Sequence, residues 1–402
     1  MNNKRIVGII LFIILIGLII GIKVFSSGGS VFSGPTTTVY VATGGGKEDF
    51  LKDPEVNKIL KEKYGLEVVY DNWSNGDTVK KALIRENSLD KTGDKDIVNA
   101  IANGDTSYTI TSEGVGKYDA LFTSDQRFYD YYKLKPNKEK NEADRYGVLD
   151  GGMTLNTPIV IYSWKEVVEV FEKEGIVTNK DGVYYITNMQ KLMDYILDGK
   201  KWSEVGLSGV FGSINIASTD PVTSSPGATY YGLLLAILSG GEITNENVNT
   251  YLPKLKEFYI KSGYMNNTPA DLFELYLRTG LGGKPMIVDY EKSIIDFANQ
   301  HPNEFEQVKD SIRILYPEPT SWNSHCFAAF TENGKLLLEA YNDEEIQKIA
   351  WEKYGFRTGI TGGKYDTSKT GLGMPQSLTS TVSSLKMDIY NKLISYLKGE
   401  VE

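Results

Sequence analysis

The sequence predicts an α/β protein of two lobes preceded by one N-terminal transmembrane helix. The chain has 402 residues, 41% hydrophobic and 24% charged, which suits two domains plus a short extra segment. An unbroken apolar run fills residues 6–22. After residue 38, β-branched runs alternate with segments of helical period, a pattern typical of a largely parallel sheet covered by helices.

The composition excludes several classes of protein. A net charge of -9 argues against a protein that grips nucleic acid through a basic face. Cys326 is the single cysteine, so an intrachain disulfide is impossible. The two histidines, His301 and His325, do not form a ligand-spaced pair. We therefore expect no metal site, no cofactor and no histidine-centred catalysis.

The N-terminal run predicts an uncleaved membrane anchor. Ile6 to Ile22 is just long enough to cross a bilayer, and Lys4 and Arg5 before it hold the N-terminus in the cytoplasm. The run lacks an AxA-like site after it, although a cleaved signal peptide remains the alternative. No cysteine follows the run, which excludes a lipid-modified N-terminus. Residues 26–37 predict a flexible tether, so the folded body is expected outside the cell membrane from about residue 38.

The body should then alternate strands and helices. Helices are expected at residues 52–64, 77–87, 164–173 and 188–200, and the charged stretch 133–145 should be an exposed loop. Strands are expected at VYVAT, LEVVY, SYTIT, YDALF, TPIVIYS, SINIAS, KPMIVDY and SIRILY.

Three glycine-lysine clusters, at residues 44–47, 280–284 and 362–364, resemble phosphate loops but lack the Ser or Thr that must follow the lysine. Only the first cluster stands directly after a strand and before a helix. In open α/β sheets, ligands meet backbone amides at that position. Thr43, Gly44 and Gly45 are therefore candidate ligand contacts, with a ligand-free turn as the alternative.

A second polar segment, residues 218–227, begins a long apolar helix. Ser224 or Ser225 can cap this helix, Pro226 suits its first turn, and Gly240 can end it. The preceding strand is expected to end in polar side chains, so hydroxyls, a carboxylate and free helix amides should converge there. An oxyanion suits such a site, and the 26 tyrosines and 5 tryptophans also permit a sugar or another organic solute. The candidate contacts of this segment are Thr219, Asp220, Ser224 and Ser225.

The order of these segments resembles the extracytoplasmic solute-binding proteins of bacterial ABC importers, with the type II periplasmic-binding-protein fold. The likeness covers nearly all of the chain after residue 38. It is carried by the opening strand with residues 43–46, TPIVIYS at 157–163, residues 219–227 with their helix, MIVDYE at 286–291, ILYPEP at 314–319 and WEKYGFRTGI at 351–360.

The resemblance implies further contacts and a division into lobes. Residues 220–227 match an Asp-Pro-x-Ser-x-x-Gly-like ligand segment, which adds Gly227 to the candidates. By the same comparison, Thr111 and Ser112 would add ligand contacts, and Tyr290 and Glu291 would lie where the second lobe closes the cleft. Lobe I would comprise residues 38–156 and 316–402, and lobe II residues 157–315, with two crossings between them.

The sequence thus predicts a membrane-anchored protein that binds a small solute between two lobes, without catalysis, for an ABC permease. A membrane anchor is equally compatible with a sensor or an assembly module for a neighbouring membrane protein. A third hypothesis is a hydrolase outside the cell that uses Ser224 together with Asp220. The chain, however, has no GxSxG motif. The ligand loops match no single substrate family, so they do not name the solute.

Overall fold

The computed structural model describes residues 34–73, 118–134, 148–263, 265–266, 268–358, 365–368 and 370–400. The expected anchor, the strand SYTIT and the helix at 77–87 lie outside these residues. Within the described part of the chain, no helix has the length and apolarity needed to cross a membrane.

Eleven strands are present in the described residues. They are β1 Thr37–Gly44, β2 Leu66–Trp73, β3 Ala120–Phe122, β4 Asp150–Trp164, β5 Val177–Lys180, β6 Val183–Ile186, β7 Met286–Tyr290, β8 Ile312–Pro317, β9 Thr320–Ala329, β10 Arg357–Thr358 and β11 Thr381–Val382.

The described helices surround these strands. They are α1 Glu48–Leu51, α2 Pro54–Tyr64, α3 Gln126–Leu134, α4 Lys165–Lys173, α5 Met189–Leu197, α6 Ser225–Ser239, α7 Val248–Ser262, α8 Pro269–Gly283, α9 Lys292–Gln300, α10 Pro302–Val308, α11 Glu332–Tyr341, α12 Glu344–Tyr354 and α13 Met387–Lys398, with a 3₁₀ turn at Trp202–Val205.

The first sheet has the strand order β2-β1-β3-β9-β4. The three N-terminal strands are parallel, whereas β9 runs antiparallel to both β3 and β4. One face of this sheet packs on α1, α2, α11 and α12 in a core that contains Val41, Phe122 and Tyr341. The parallel strands place the end of β1 beside the end of β3, so the loops after them begin at the same edge.

The second sheet is joined to the first through β4. Residues 150–158 of β4 pair with β9, and residues 159–164 pair with β7 on one side and β8 on the other. Strands β6 and β5 extend the second sheet beyond β8. One 15-residue strand therefore belongs to both sheets, and it changes partners between Pro158 and Ile159.

The second and larger core surrounds β7, β8 and the adjoining half of β4. Helices α4 to α9 contribute to it through residues such as Phe171, Leu234 and Phe258. The C-terminal region packs into this core as well, through Leu372 and Leu393. The last helix thus packs against α7 in this core, and it also contacts α3.

The expected strands and helices were found where apolar periodicity was strong. VYVAT, LEVVY, YDALF, TPIVIYS, KPMIVDY and SIRILY lie in β1, β2, β3, β4, β7 and β8, and the helices expected at 52–64, 164–173 and 188–200 are α2, α4 and α5. The prediction of a strand at SINIAS was wrong. Residues Ser213 and Ala217 make isolated bridges, while Ile214 and Ile216 are buried in the larger core without a ladder.

Candidate ligand-binding cleft

A cleft of about 1230 Å³ is lined by residues from both domains, of which the first is built on the first sheet and the second on the second sheet. The first domain contributes the loop after β1, the start of α3 and two side chains of β9. The second domain contributes the start of α6, helix α8, the end of β7 and helix α9. The lining therefore combines strand ends and helix starts, where backbone and side-chain polar groups are free to meet a ligand.

The loop after β1 reaches the cleft through its glycines. Thr43 and Gly44 end the strand outside the lining, and the Thr43 hydroxyl donates to the Phe122 carbonyl at 3.2 Å. Gly45 and Gly46 line the cleft. Gly46 has a φ of 83°, which favours glycine because a β-carbon disfavours this left-handed region.

The side chain of Lys47 joins this loop to the segment after β3 through hydrogen bonds. Its Nζ donates to the Gly44 carbonyl at 2.8 Å and to the Ser124 hydroxyl at 2.8 Å. It also lies 4.6 Å from the centre of the Phe122 ring. Burial lowers the pKa of Lys47 to about 7, although Glu48 favours the charged form. Sequence reasoning did not select this lysine, whose contacts position the loop.

The start of α6 brings hydroxyl groups to the opposite wall. Ser224 is the N-cap residue, and both Ser224 and Ser225 line the cleft. The Ser224 side chain makes no capping hydrogen bond. Instead, the Thr219 hydroxyl accepts from the Gly227 amide at 3.0 Å. Thr219 therefore stabilises the helix start, and Ser224 lines the cleft without using its side chain as a cap.

Asp220 and Gly227 shape the same turn without lining the cleft. The Asp220 carboxylate accepts from the Val222 amide at 2.9 Å. A β-carbon at Gly227 would lie 2.2 Å from the Thr219 carbonyl oxygen. Glycine is required at 227 because the helix backbone passes directly against the preceding loop.

The other two predicted contacts, Tyr290 and Glu291, lie at the end of β7 in different surroundings. Tyr290 lines the cleft, and burial raises the pKa of its hydroxyl well above the usual value. Glu291 is fully buried and outside the lining. Its carboxylate accepts from Arg357 Nε at 2.6 Å and Nη2 at 2.8 Å, and from the Tyr316 hydroxyl at 2.7 Å. Glu291 is thus held by a buried ion pair. Thr111 and Ser112 lie outside the described residues.

His325 on β9 is a cleft residue that the sequence did not indicate. Its Nε2 lies 3.3 Å from Asn323 Nδ2, and its Nδ1 is buried without a hydrogen-bond partner. Burial, with the nearby charges of Lys47 and Lys292, lowers the pKa of His325 well below its usual value. If the Asn323 amide donates to Nε2, the proton is on Nδ1 and can be donated to a ligand.

Asp289 is the second cleft residue that the sequence did not indicate. Only 1% of it is exposed, and its Oδ1 accepts from the Tyr290 amide at 2.7 Å. Its Oδ2 makes no hydrogen bond, although the Ser293 hydroxyl is near enough to favour the charged form. Burial raises the pKa of Asp289 to about 6. A carboxylate within the apolar run MIVDY was the one available signal.

The other arginines and lysines of the described lining have carboxylate partners. The Arg127 Nε donates to Asp125 Oδ1 at 2.9 Å, and the guanidinium lies 4.0 Å from the centre of the Tyr390 ring. Lys292 pairs with Asp296 at 2.5 Å. Arg278 pairs with Glu274 at 3.9 Å. In the described residues, no three His, Cys, Asp or Glu side chains form a potential metal site.

No protein-family model matches the chain, and no curated protein matches it. Solved structures do match over most of its length. An ABC transporter structure from Clostridium perfringens is 15% identical with a TM-score of 0.52, over 89% of this chain and 96% of that one. The two-domain α/β part of the fold predicted from sequence is confirmed, whereas the predicted transmembrane helix lies outside the described residues. This is the type II periplasmic-binding-protein fold.

Two further structures share this periplasmic-binding-protein fold. Apo FutA2 from Synechocystis is 12% identical with a TM-score of 0.52, over 90% of this chain and 98% of that one. Iron-bound HitA from Pseudomonas aeruginosa is 11% identical with a TM-score of 0.52, over 91% of this chain and 99% of that one. At this level of identity, the likeness establishes the architecture alone.

Proposed function

We propose that this protein captures a small organic solute in the cleft and delivers it to an ABC-type importer, without catalysis. The observation that carries the proposal is a cleft of about 1230 Å³ lined from both domains. Four buried polar atoms in the described lining have no hydrogen-bond partner, and they include Asp289 Oδ2 from the second domain and His325 Nδ1 from the first. An unsatisfied buried polar group costs about 1–3 kcal/mol, so a solute that pairs with both favours the closed form.

The charges of the lining favour an organic solute over an oxyanion. The hydroxyls at the start of α6 suit an anion, as the sequence suggested. However, the basic side chains of the described lining already bond to protein groups: Lys47 to a carbonyl, Arg127 to Asp125 and Lys292 to Asp296. An oxyanion would have to compete with these acceptors. Iron belongs in any screen, because HitA is iron-bound in its structure.

We propose a modified domain division. The first domain comprises residues 38–156 and 316–358, and the second comprises residues 157–315 and 372–398. The packing of Leu372 and Leu393 in the larger core supports moving the C-terminal helix to the second domain. We further propose that residues 6–22 anchor the body to the outer face of the cell membrane. Mass spectrometry of the mature N-terminus tests this anchor, and a chain that begins near Ser27 would contradict it.

A thermal-shift screen of the full chain against oxyanions, iron, sugars, amino acids and amines tests solute capture. A bound solute should raise the melting temperature in a concentration-dependent manner. Calorimetric titration of Ser224→Ala and Gly45→Val should then show weaker binding. A β-carbon at Gly45 lies 3.1 Å from the flexible end of Glu48, so valine narrows the cleft without a backbone clash.

The control is Ser213→Ala, because Ser213 is exposed and outside the lining. Wild-type affinity in both cleft variants would contradict the location of the site. Deletion of the protein should also impair uptake of the bound solute. Unimpaired uptake would instead favour a sensor, and turnover of the solute would favour a hydrolase.

A further inference from the structure

The carboxylate of Asp289 is an unusual group for this cleft. It lies in β7, is 1% exposed and lines the cleft, yet its Oδ2 makes no hydrogen bond within 3.5 Å, although the Ser293 hydroxyl lies nearby. Its backbone partner, the Tyr290 amide, bonds only to Oδ1. The lysine of the adjoining helix, Lys292, is held by Asp296 at 2.5 Å. The negative charge of Asp289 therefore has no salt-bridge partner among the described residues.

Two aromatic rings line the same side of the cleft. Phe273 on α8 and Phe297 on α9 have ring centres 6.0 Å apart and ring planes at 66°. Helix α8 packs against β7, the strand that carries Asp289. Phe273 also contacts Tyr162, which pairs with Ile287 in the β4–β7 ladder, on the same face of the sheet as Asp289. The second domain thus presents a carboxylate and an aromatic pair within one wall of the cleft.

A carboxylate beside aromatic rings is complementary to an ammonium group. The ammonium N–H donates a charge-assisted hydrogen bond to a carboxylate oxygen, and aromatic faces attract cations within about 6 Å. A neutral sugar would satisfy Oδ2 with a hydroxyl but would leave the buried charge uncompensated. An oxyanion would be repelled by the negative charge of Asp289.

We propose that Asp289, Phe273 and Phe297 form a subsite for the protonated amine of an organic solute. This inference rests on the proposed solute capture and names the class of solute. The ammonium group bonds to Asp289 Oδ2 and lies against the aromatic pair. The remainder of the solute extends toward the hydroxyls of Ser224 and Ser225 and toward His325, whose Nδ1 can donate to an acceptor on the solute.

Calorimetric titration of the full chain tests this subsite. The amine probes are putrescine, L-lysine and choline, and the comparison probes are phosphate, maltose and ferric citrate. We expect at least one amine to bind. Choline separates the two contributions, because its quaternary ammonium can meet the rings but has no N–H for Asp289.

Two variants with matched controls assign the binding to these residues. Asp289→Asn should weaken amine binding by about tenfold or more, whereas Asp310→Asn, an exposed carboxylate outside the lining, should not. Phe297→Leu should weaken amine binding severalfold. Its control is Phe211→Leu, because Phe211 is 92% exposed and outside the lining.

Three results would overturn the amine assignment. The first is that none of the three amines binds, and the second is that Asp289→Asn binds an amine with wild-type affinity. The third is that phosphate, maltose or ferric citrate binds and the amines do not. This last result would leave the proposed solute capture intact, so the failure of the subsite is distinguishable from the failure of the function.

Discussion

At the scale of the residue, the buried carboxylate of Asp289 should make stability depend on pH. Burial raises its pKa from 3.8 to about 6, so between these values the folded state binds more protons than the unfolded state. The Asp289 contribution to stability is therefore greatest at low pH and falls as pH rises through about 6. Asp289→Asn removes this penalty while keeping an oxygen for the Tyr290 amide.

We expect the variant to gain stability relative to wild type by about 2 kcal/mol as pH rises from about 4 to about 7. Urea unfolding at several pH values measures this difference. The exposed Asp310→Asn variant is the control. A difference that does not change with pH would show that the Asp289 carboxylate is well solvated in the folded protein.

At the scale of the element, the start of α6 should depend on Thr219 and not on its N-cap residue. The Thr219 hydroxyl accepts from the Gly227 amide at 3.0 Å, whereas the Ser224 side chain makes no capping bond. Thr219→Val leaves a buried amide unsatisfied and should cost about 1–2 kcal/mol of unfolding free energy. Ser224→Ala should cost less than about 0.5 kcal/mol.

Urea unfolding of both variants measures these costs. Equal losses at the two positions would mean that Ser224 caps the helix in solution. The comparison also separates stability from binding, because Ser224→Ala should weaken solute binding in a protein that remains folded.

The sequence was sufficient to predict elements whose burial gives a regular pattern. Strand β4 and helix α4 were predicted correctly because β4 contains an unbroken apolar run rich in β-branched residues and the apolar residues of α4 repeat with the period of a helix. SINIAS alternates polar and apolar residues as a strand does, yet its isoleucines are buried without a neighbouring ladder. Periodicity predicts which side chains are buried, but it does not predict whether the backbone pairs with a neighbouring strand.

The cleft could be predicted only in part, because some of its residues depend on contacts between distant parts of the chain. The loops at Gly45 and Ser224 follow from local rules about strand ends and helix starts. His325 lies close to Gly46, which is far away in the chain, and its environment depends on how β9 is placed in the sheet. The role of Glu291 was also hidden, because its partner Arg357 is distant in sequence.

At the scale of the whole molecule, the ion pair of Glu291 and Arg357 joins the two sheets. Glu291 follows β7 in the second sheet, and Arg357 lies in β10, which pairs with β4 at the end of the first sheet. Both side chains are almost completely buried. Removing one partner leaves a buried charge uncompensated, so Arg357→Met and Glu291→Gln should each cost about 3–5 kcal/mol of unfolding free energy.

Denaturant unfolding followed by tryptophan fluorescence measures this cost. The control is Lys180→Met, which removes an exposed ion pair with Glu318 and should cost less than about 1 kcal/mol. Similar small losses at the buried and exposed pairs would contradict a structural role for Glu291. That result would also make its carboxylate available to a solute.

The continuous strand β4 has a mechanical consequence. Because its backbone hydrogen bonds belong to both sheets, we expect the two halves of the molecule to rotate about this strand and not to slide apart. Displacement should then grow with distance from this axis. Asn323 lines the cleft and pairs with Thr157 of this strand, so it should stay nearly fixed. We therefore expect the part of the cleft next to β4 to change little when a solute binds, and the more distant lining to move more.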